Sequence, residues 1–405
     1  MAQHQLESAF PHLEESALTG LLGDVVSLAC AESEASQAAV LFTALAFAAA
    51  SFGALSYFPV GDTRHPPRLF VSIVGESARA RKGTSAQPVE RIFKRAQELG
   101  GLPVLHVTPG PFSSGEGIIF AVRDASDVLK KGEPVDMGVS DKRLLGLLGE
   151  FGGSLAAMKR EGSTLSAVLR TAWEAGEIKP LTKNCQIKTT GAHINFVGHV
   201  TKMEMDALLG TSDIWNGLGN RILWVCAKRE KLVPISIPMD AAAVDKIAAS
   251  LAAAIKFGQS AGRITFSPEA ETAWRRDYLQ ITADRPGVFG VITARAEAQI
   301  VRISMIYALL DKALFIEPKH LAAGRAAWSY AEKSAAYLFG GVVGDPRAER
   351  ILAALKDGPQ RRSALHRLFK NNLRATDLEN ALRKLIAEDL ICEFNQQFYL
   401  KEATQ

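Results

Sequence analysis

Between a short apolar run and a helical stretch stands the segment Gly75-Glu-Ser-Ala-Arg-Ala-Arg-Lys-Gly-Thr-Ser85. Its residue types are those that hold phosphate. Backbone N–H groups of small residues can turn toward an anion, Lys82 can reach terminal phosphate oxygens, and Thr84 can offer a hydroxyl to Mg2+ where the helix starts. Gly75, Ser77, Arg81, Lys82, Gly83, Thr84 and Ser85 are therefore the candidate cradle for the phosphates of ATP, with Thr84 the candidate metal ligand. The spacing departs from GxxxxGK[ST]: Lys82 falls seven residues after Gly75, Arg81 precedes it in place of Gly, and Gly83 separates it from Thr84. The alternative is a basic surface loop whose Ser85 caps the next helix.

Phosphoryl chemistry also needs a carboxylate at the end of a neighbouring strand. Glu150 follows the apolar run Leu144 to Leu148 and is the candidate base that polarises water; Gly149 stands where an Asp would hold Mg2+ through water. An acidic residue there could equally cap a helix. His193-Ile-Asn-Phe-Val-Gly-His199 is a further strand, and His199 at its end is the candidate γ-phosphate sensor, or else a hydrogen-bonded structural group. Arg221 follows the flexible Gly217-Leu-Gly219 and opens another strand. It is the candidate charge-stabilising arginine, in its own or a neighbouring subunit, against a structural arginine paired with a carboxylate.

The elements that must position these residues alternate. Strands are expected at Arg68–Gly75, Val104–Val107, Arg143–Leu148, His193–His199 and Arg221–Ala227, with helices at Ser85–Leu99, Gly117–Leu129 and Ser163–Ala175 between them. That order argues for an α/β fold with a largely parallel sheet. An N-terminal helical layer (1–58) precedes the sheet domain (59–235). A helical extension (236–340) follows it, with helices over Ala241–Phe257, Pro268–Thr282, Thr293–Leu310 and Pro318–Leu338. Gly340–Pro346 reads as a linker to a last unit (346–402). Helices at Arg347–Leu355, Arg361–Phe369 and Ala375–Glu388, then extended pieces at Ile391–Phe394 and Gln397–Lys401, give the order of a winged helix-turn-helix. Its basic residues Arg361, Arg362, Arg367, Lys370, Arg374 and Lys384 are the candidate DNA contacts. Asp377, Glu379 and Glu388 on the third helix would oppose them if they faced phosphates.

Composition sets the outer bounds. The 405 residues are 47% hydrophobic and 22% charged, which excludes a disordered chain or a small disulfide scaffold. A net charge of +4 does not by itself announce a nucleic-acid partner. Cys30, Cys185, Cys226 and Cys392 form no CxxC pair, which fits a reduced cytoplasm. Met1–Ser16 does not read as a signal peptide, and Ala38–Leu55, rich in Ala and without flanking Lys or Arg, reads as a buried helix rather than a membrane span.

Taken in order, Gly75-x-Ser-x-x-x-Arg-Lys-Gly-Thr-Ser85, Asp141-Lys-Arg-Leu-Leu with Gly149-Glu150-Phe-Gly, Ser163-Thr-Leu-Ser-Ala-Val-Leu-Arg-x-Ala-Trp173, Thr190-Gly-Ala-His-Ile-Asn with Gly198-His199-Val-Thr, and Gly219-Asn220-Arg221-Ile-Leu-Trp resemble an uncharacterised RecA-like ATPase family of phage, plasmid and integrated-element replication proteins. The resemblance covers about residues 35–315, and Arg295 to Asp311 is similar to the family's helical tail. It implies a RecA-like P-loop NTPase core in which Lys82 and Thr84 hold phosphate and Mg2+, Glu150 is the catalytic base and Arg221 a finger or sensor. Relatives often carry a primase-polymerase domain ahead of this core; none precedes it here, so a free-standing motor is expected.

The expected activity is that of an ATP-dependent DNA motor acting on single-stranded or forked DNA. The expected assembly is a homo-oligomeric ring, a hexamer, with a separate primase or replication protein as partner. The alternative is a DNA-binding initiator or regulator whose degenerate nucleotide site serves assembly. A small-molecule kinase is a weaker third reading, because no acceptor pocket is legible.

Overall fold

The computed structural model describes residues 10–75, 85–180, 187–285, 287–340, 346–369, 373–387 and 390–401. The chain divides into two compact units, one of Phe10–Ala283 with Arg295–Ser334 and one built on Asp284–Ala294 with Ala335–Gln405.

In the first unit, apolar runs too short for helices pair into one parallel sheet of five strands: β1 (Phe70–Gly75), β2 (His106–Thr108), β3 (Arg143–Leu148), β4 (His193–Thr201) and β5 (Ile222–Ala227). Their spatial order is β2-β3-β4-β1-β5. β1 is therefore hydrogen-bonded on both sides, Gly75 lying opposite Thr201 of β4 and Ala227 of β5. All of β1 and β5 is buried, as strands covered on both faces must be.

Helices α1 (Gly20–Cys30), α2 (Gln37–Phe52) and α3 (Ala86–Gly100) share one core with Val71, Ile73, Val197 and Val225 of the sheet. Helices α4 (Gly115–Ala121), α5 (Phe151–Met158), α6 (Leu165–Glu174) and α7 (Lys202–Leu208) follow β2, β3 and β4. The opposite sheet face is aromatic: Phe196 stacks on Phe70 at 4.6 Å and meets Phe151 of α5 at 5.4 Å. Helices α8 (Ala241–Gly258), α9 (Ala296–Leu310) and α10 (Pro318–Phe339) follow the sheet, and residues of all three up to Ala331 join the core of α1 and α2. The N-terminal and middle helices and the sheet thus share a single interior. Every residue of α2 from Ala38 to Phe52 is buried, and among the described residues no helix is long and apolar enough to cross a membrane.

Two helices differ from the sequence expectation. Residues 117–129 do not form one helix: α4 ends at Ala121, and Leu129–Lys130 pairs with Glu133–Pro134 in a hairpin. The cause is side-chain chemistry beyond the helix. Arg123 makes a forked ion pair with Asp136 at 2.5 and 2.9 Å, and Lys142 Nζ donates to the carbonyls of Val122 and Arg123, taking groups a continuing helix would need. The helix expected over Thr293–Leu310 starts instead at Ala296, Thr293 being the last residue of a separate short helix, Gly287–Thr293.

The second unit holds α11 (Pro346–Lys356), α12 (Arg362–Leu368) and α13 (Ala375–Ala387) with three short antiparallel strands, Gln360–Arg361, Ile391–Phe394 and Gln397–Leu400. Ile351, Leu365, Leu382, Leu385, Ile391 and Phe398 form its own core.

Close packing makes a specific demand in β4. A Cβ on Gly198 would stand 2.6 Å from the Phe151 ring, whereas one on Gly149 would meet nothing within 4 Å. Gly198→Ala is expected to cost about 1–3 kcal/mol in urea unfolding and Gly149→Ala to stay within about 0.5 kcal/mol of the parent.

Candidate phosphate site and the two ends of the sheet

The chain leaves β1 toward α3, on the face of α1 and α2, and leaves β3 toward α5, on the aromatic face. Connections that leave on opposite faces are the arrangement at which open α/β sheets bind ligands, in a crevice outside the carboxyl ends of the strands. Three expected site residues meet there. Gly75 ends β1; Glu150 lies two residues past β3; His199 lies in β4 between them, opposite Ile73. Leu148 is level with Gly198 and so with Ser72 of β1, which puts Glu150 level with the end of β1 and two strand spacings, about 10 Å, away.

The local chemistry separates these residues. Glu150 occupies the N-cap position of α5 with φ −124° and ψ 73°, makes no capping hydrogen bond and is exposed. His199 is 5% exposed, and strand alternation directs it to the face that Val197 packs against. Ser85 precedes α3 with helical dihedrals, is buried and does not cap the helix. Ser77, Arg81, Lys82, Gly83 and Thr84 lie outside the described residues. Among the described residues no three His, Cys, Asp or Glu side chains converge on a metal. The exposed Glu150 carboxylate is the described group at this edge that could hold Mg2+, an ion that takes one or two protein oxygens and keeps several waters.

Arg221 stands at the other end. It directly precedes β5, whose first residue pairs with Phe70, so it lies about 20 Å along the strands from Gly75. Its Nη2 donates to Glu174 Oε1 at 2.6 Å, and its Nη1 to the carbonyl of Gly217. Arg295 Nη1 reaches the same carboxylate oxygen at 2.7 Å. Beneath them Arg302, wholly buried, lies 3.5 Å over the Trp173 ring and donates to the carbonyls of Arg68 and Trp173. Arg68 in turn donates to the carbonyls of Glu174 and Ala192. Burial lowers the pKa of all three buried arginines, that of Arg68 to about 10. The role of Trp173, Glu174 and Arg68 was not legible from residue type; the one signal was the aromatic-acid pair ending α6.

In the second unit the acids of α13 are occupied: Arg347 pairs with Asp377 at 3.4 Å and Arg362 with Glu379 at 2.5 Å. Arg361, Arg367 and Arg374 are exposed. Arg362, Ser363, His366, Arg367, Thr376 and Glu379 border a cleft of about 710 Å³ between α12 and α13. Lys370 lies outside the described residues, and Lys384 lies on α13.

No protein-family model matches the chain, and comparison with curated proteins finds no match.

His193 opens β4 at the amino end, fully buried, with Nε2 2.8 Å from the carbonyl of Ala49. Burial first, and then the Arg68 charge, lower its pKa to about 3. Between about pH 6.5 and 3 the unfolded chain therefore binds a proton the folded chain refuses, so this contribution to stability falls as pH drops below about 6.5, by up to about 1.4 kcal/mol per unit. His193→Gln, which keeps an N–H for Ala49, is expected to flatten that acid limb in unfolding measured from pH 7 to 5.

Proposed function

We propose that the chain is an ATP- and Mg2+-dependent DNA motor with a RecA-like P-loop core and a C-terminal winged helix. The observation that carries this reading is the carboxyl edge of the parallel sheet, where Gly75 ends β1, the exposed Glu150 follows β3 and His199 lies in the β4 strand between them, so that they would border one crevice. Lys82 would neutralise charge on the terminal phosphates. Glu150 would accept a hydrogen bond from water and align its oxygen on the terminal phosphorus, while the bridging oxygen leaves with ADP. His199 would report the presence of the third phosphate. Mg2+, held through Thr84, would supply further neutralisation when bound.

Within one chain Arg221 is a sheet length from this crevice, so a charge-stabilising role falls to an arginine presented across a subunit interface in a ring. Of the arginines at the amino end, Arg295 has the more open side chain, 30% exposed against 11% for Arg221, and Arg302 is enclosed. The winged-helix reading rests on three helices followed by a hairpin, with Arg361, Arg367 and Arg374 as the exposed DNA contacts.

Gly149 favours a second reading, an assembly switch that binds nucleotide without turnover, because it puts no carboxylate where an Asp would hold Mg2+ through water.

ATP hydrolysis measured with and without single-stranded DNA decides between them. The motor predicts DNA-stimulated turnover that falls about 100-fold or more in Lys82→Ala and in Glu150→Gln. Tight ATP binding with no turnover under any DNA condition overturns it in favour of the switch. For DNA affinity, Arg367→Ala and Arg374→Ala are each expected to lower the slope of log K against log salt by about 1.

A further inference from the structure

Toward the amino edge of the sheet Arg68, Arg170, Arg221, Arg295 and Arg302 gather around one carboxylate among the described residues, Glu174, and the backbone accounts for only part of the difference. Arg302 donates to Arg68 O at 3.3 Å and Trp173 O at 3.1 Å; Arg68 donates to Glu174 O at 3.2 Å and Ala192 O at 2.9 Å. Trp173 and Glu174 are the last residues of α6, where unpaired carbonyls and the negative end of the helix dipole favour cations. The inner pair of arginines is thereby offset.

The outer pair is not. Arg221 and Arg295 both bind Oε1 of Glu174, so one negative charge serves two positive ones. Arg170, which donates to the carbonyl of Asn216, adds a third positive charge that weighs on Arg221. Arg221, Arg295 and Arg302 all lie within 5.6 Å of the Trp173 ring centroid. The Nε groups of Arg68, Arg170, Arg221 and Arg302 and the indole N–H of Trp173 are buried without a hydrogen-bond partner. Arg295 is the partly open member of the group, and its single described bond leaves donors of its planar fork available.

We propose that Arg221 and Arg295 beside Trp173 form an oxyanion site for a free dianion of the phosphate class, separate from the loop after β1. The anion supplies the missing negative charge, and Arg295 is its principal donor. Because Trp173 and Glu174 end α6, Arg221 precedes β5 and Arg295 precedes α9, occupancy ties three elements together. Arg295 is also the arginine proposed for a subunit interface, but anion binding here is separable from nucleotide binding, since Lys82 has no part in it.

Orthophosphate is the probe, in calorimetric titration and thermal unfolding of the full chain at constant ionic strength against chloride. The expected result is a phosphate-selective rise in Tm of about 2–5 °C at a hundredfold excess over Kd, retained in Lys82→Ala. Arg295→Gln is expected to weaken binding at least tenfold, and Arg295→Lys, which keeps the charge, by less. Glu174→Gln, which removes the competing carboxylate, is expected to tighten binding at least threefold; a merely structural cluster would not gain affinity from that change. Equal stabilisation by phosphate and chloride overturns the site, as does a response lost in Lys82→Ala but kept in Arg295→Gln. A thymidine dinucleotide carries a diester of single charge and is expected to bind more weakly than orthophosphate; tighter binding would reassign the site to a nucleic-acid backbone.

Discussion

Because β1 is hydrogen-bonded to β4 on one side and β5 on the other, and covered by helices on both faces, no side chain along its length can meet water. Only Ser72 interrupts its apolar run. Chemistry is therefore displaced to the strand's two ends, where the pattern of pairing stops and the chain must turn. The carboxyl end gathers small residues, an exposed carboxylate and a histidine; the amino end gathers arginines. One buried strand separates two groups of polar residues of different character, and the chain leaves toward opposite faces of the sheet after β1 and after β3.

The amino end shows how the interior carries charge. Its cations are held by backbone carbonyls more than by counter-ions: those of Arg68, Trp173, Glu174 and Ala192 receive Arg302 and Arg68, and that of Ala49 faces His193. Asn195 does the converse work, its Oδ1 accepting from Leu69 N at 2.8 Å just where β1 begins. Neutral dipoles thus fix the entry of β1 and β4 into the sheet, while Glu174 binds Arg221 and Arg295 at the rim and Asp141 pairs with Arg143 where β3 begins. A buried arginine bound to carbonyls costs desolvation, and the face of Trp173 against Arg302 offsets part of it.

Much of the alternation of strands and helices was legible, since the apolar run Arg143–Leu148 and the extended piece Ile391–Phe394 have ends that coincide with the observed strands. Buried Ala38–Phe52 was legible as a core helix because alanine is too weakly apolar to favour lipid. The strand order was not, since parallel partners are set by contacts across long stretches of chain. The hairpin at Leu129–Pro134 was hidden because Val128 and Leu129 continue a helical apolar pattern although both are exposed, and only the Arg123–Asp136 pair, thirteen residues apart, reveals the turn. Residue type located Glu150 just past β3, whereas His199, expected at the end of its strand, is buried within β4, which runs on to Thr201. Residue type could not show that Arg221 lies at the opposite edge, because a position just before a strand reads the same whichever neighbours the strand acquires.

The placement of β1 also bears on how the protein is made. Leu69 and Asn195, which bring β1 to β4, are 126 residues apart, and β5 follows later still. At about 5–20 residues per second, on the order of ten seconds of synthesis separates the central strand from its first partner. During that time Phe70, Val71, Ile73 and Val74 have only local helices such as α2 to shelter against, and closing so long a loop is slow. The nascent chain therefore carries an apolar strand unpaired through much of its synthesis, the condition under which partly made chains are most prone to aggregate.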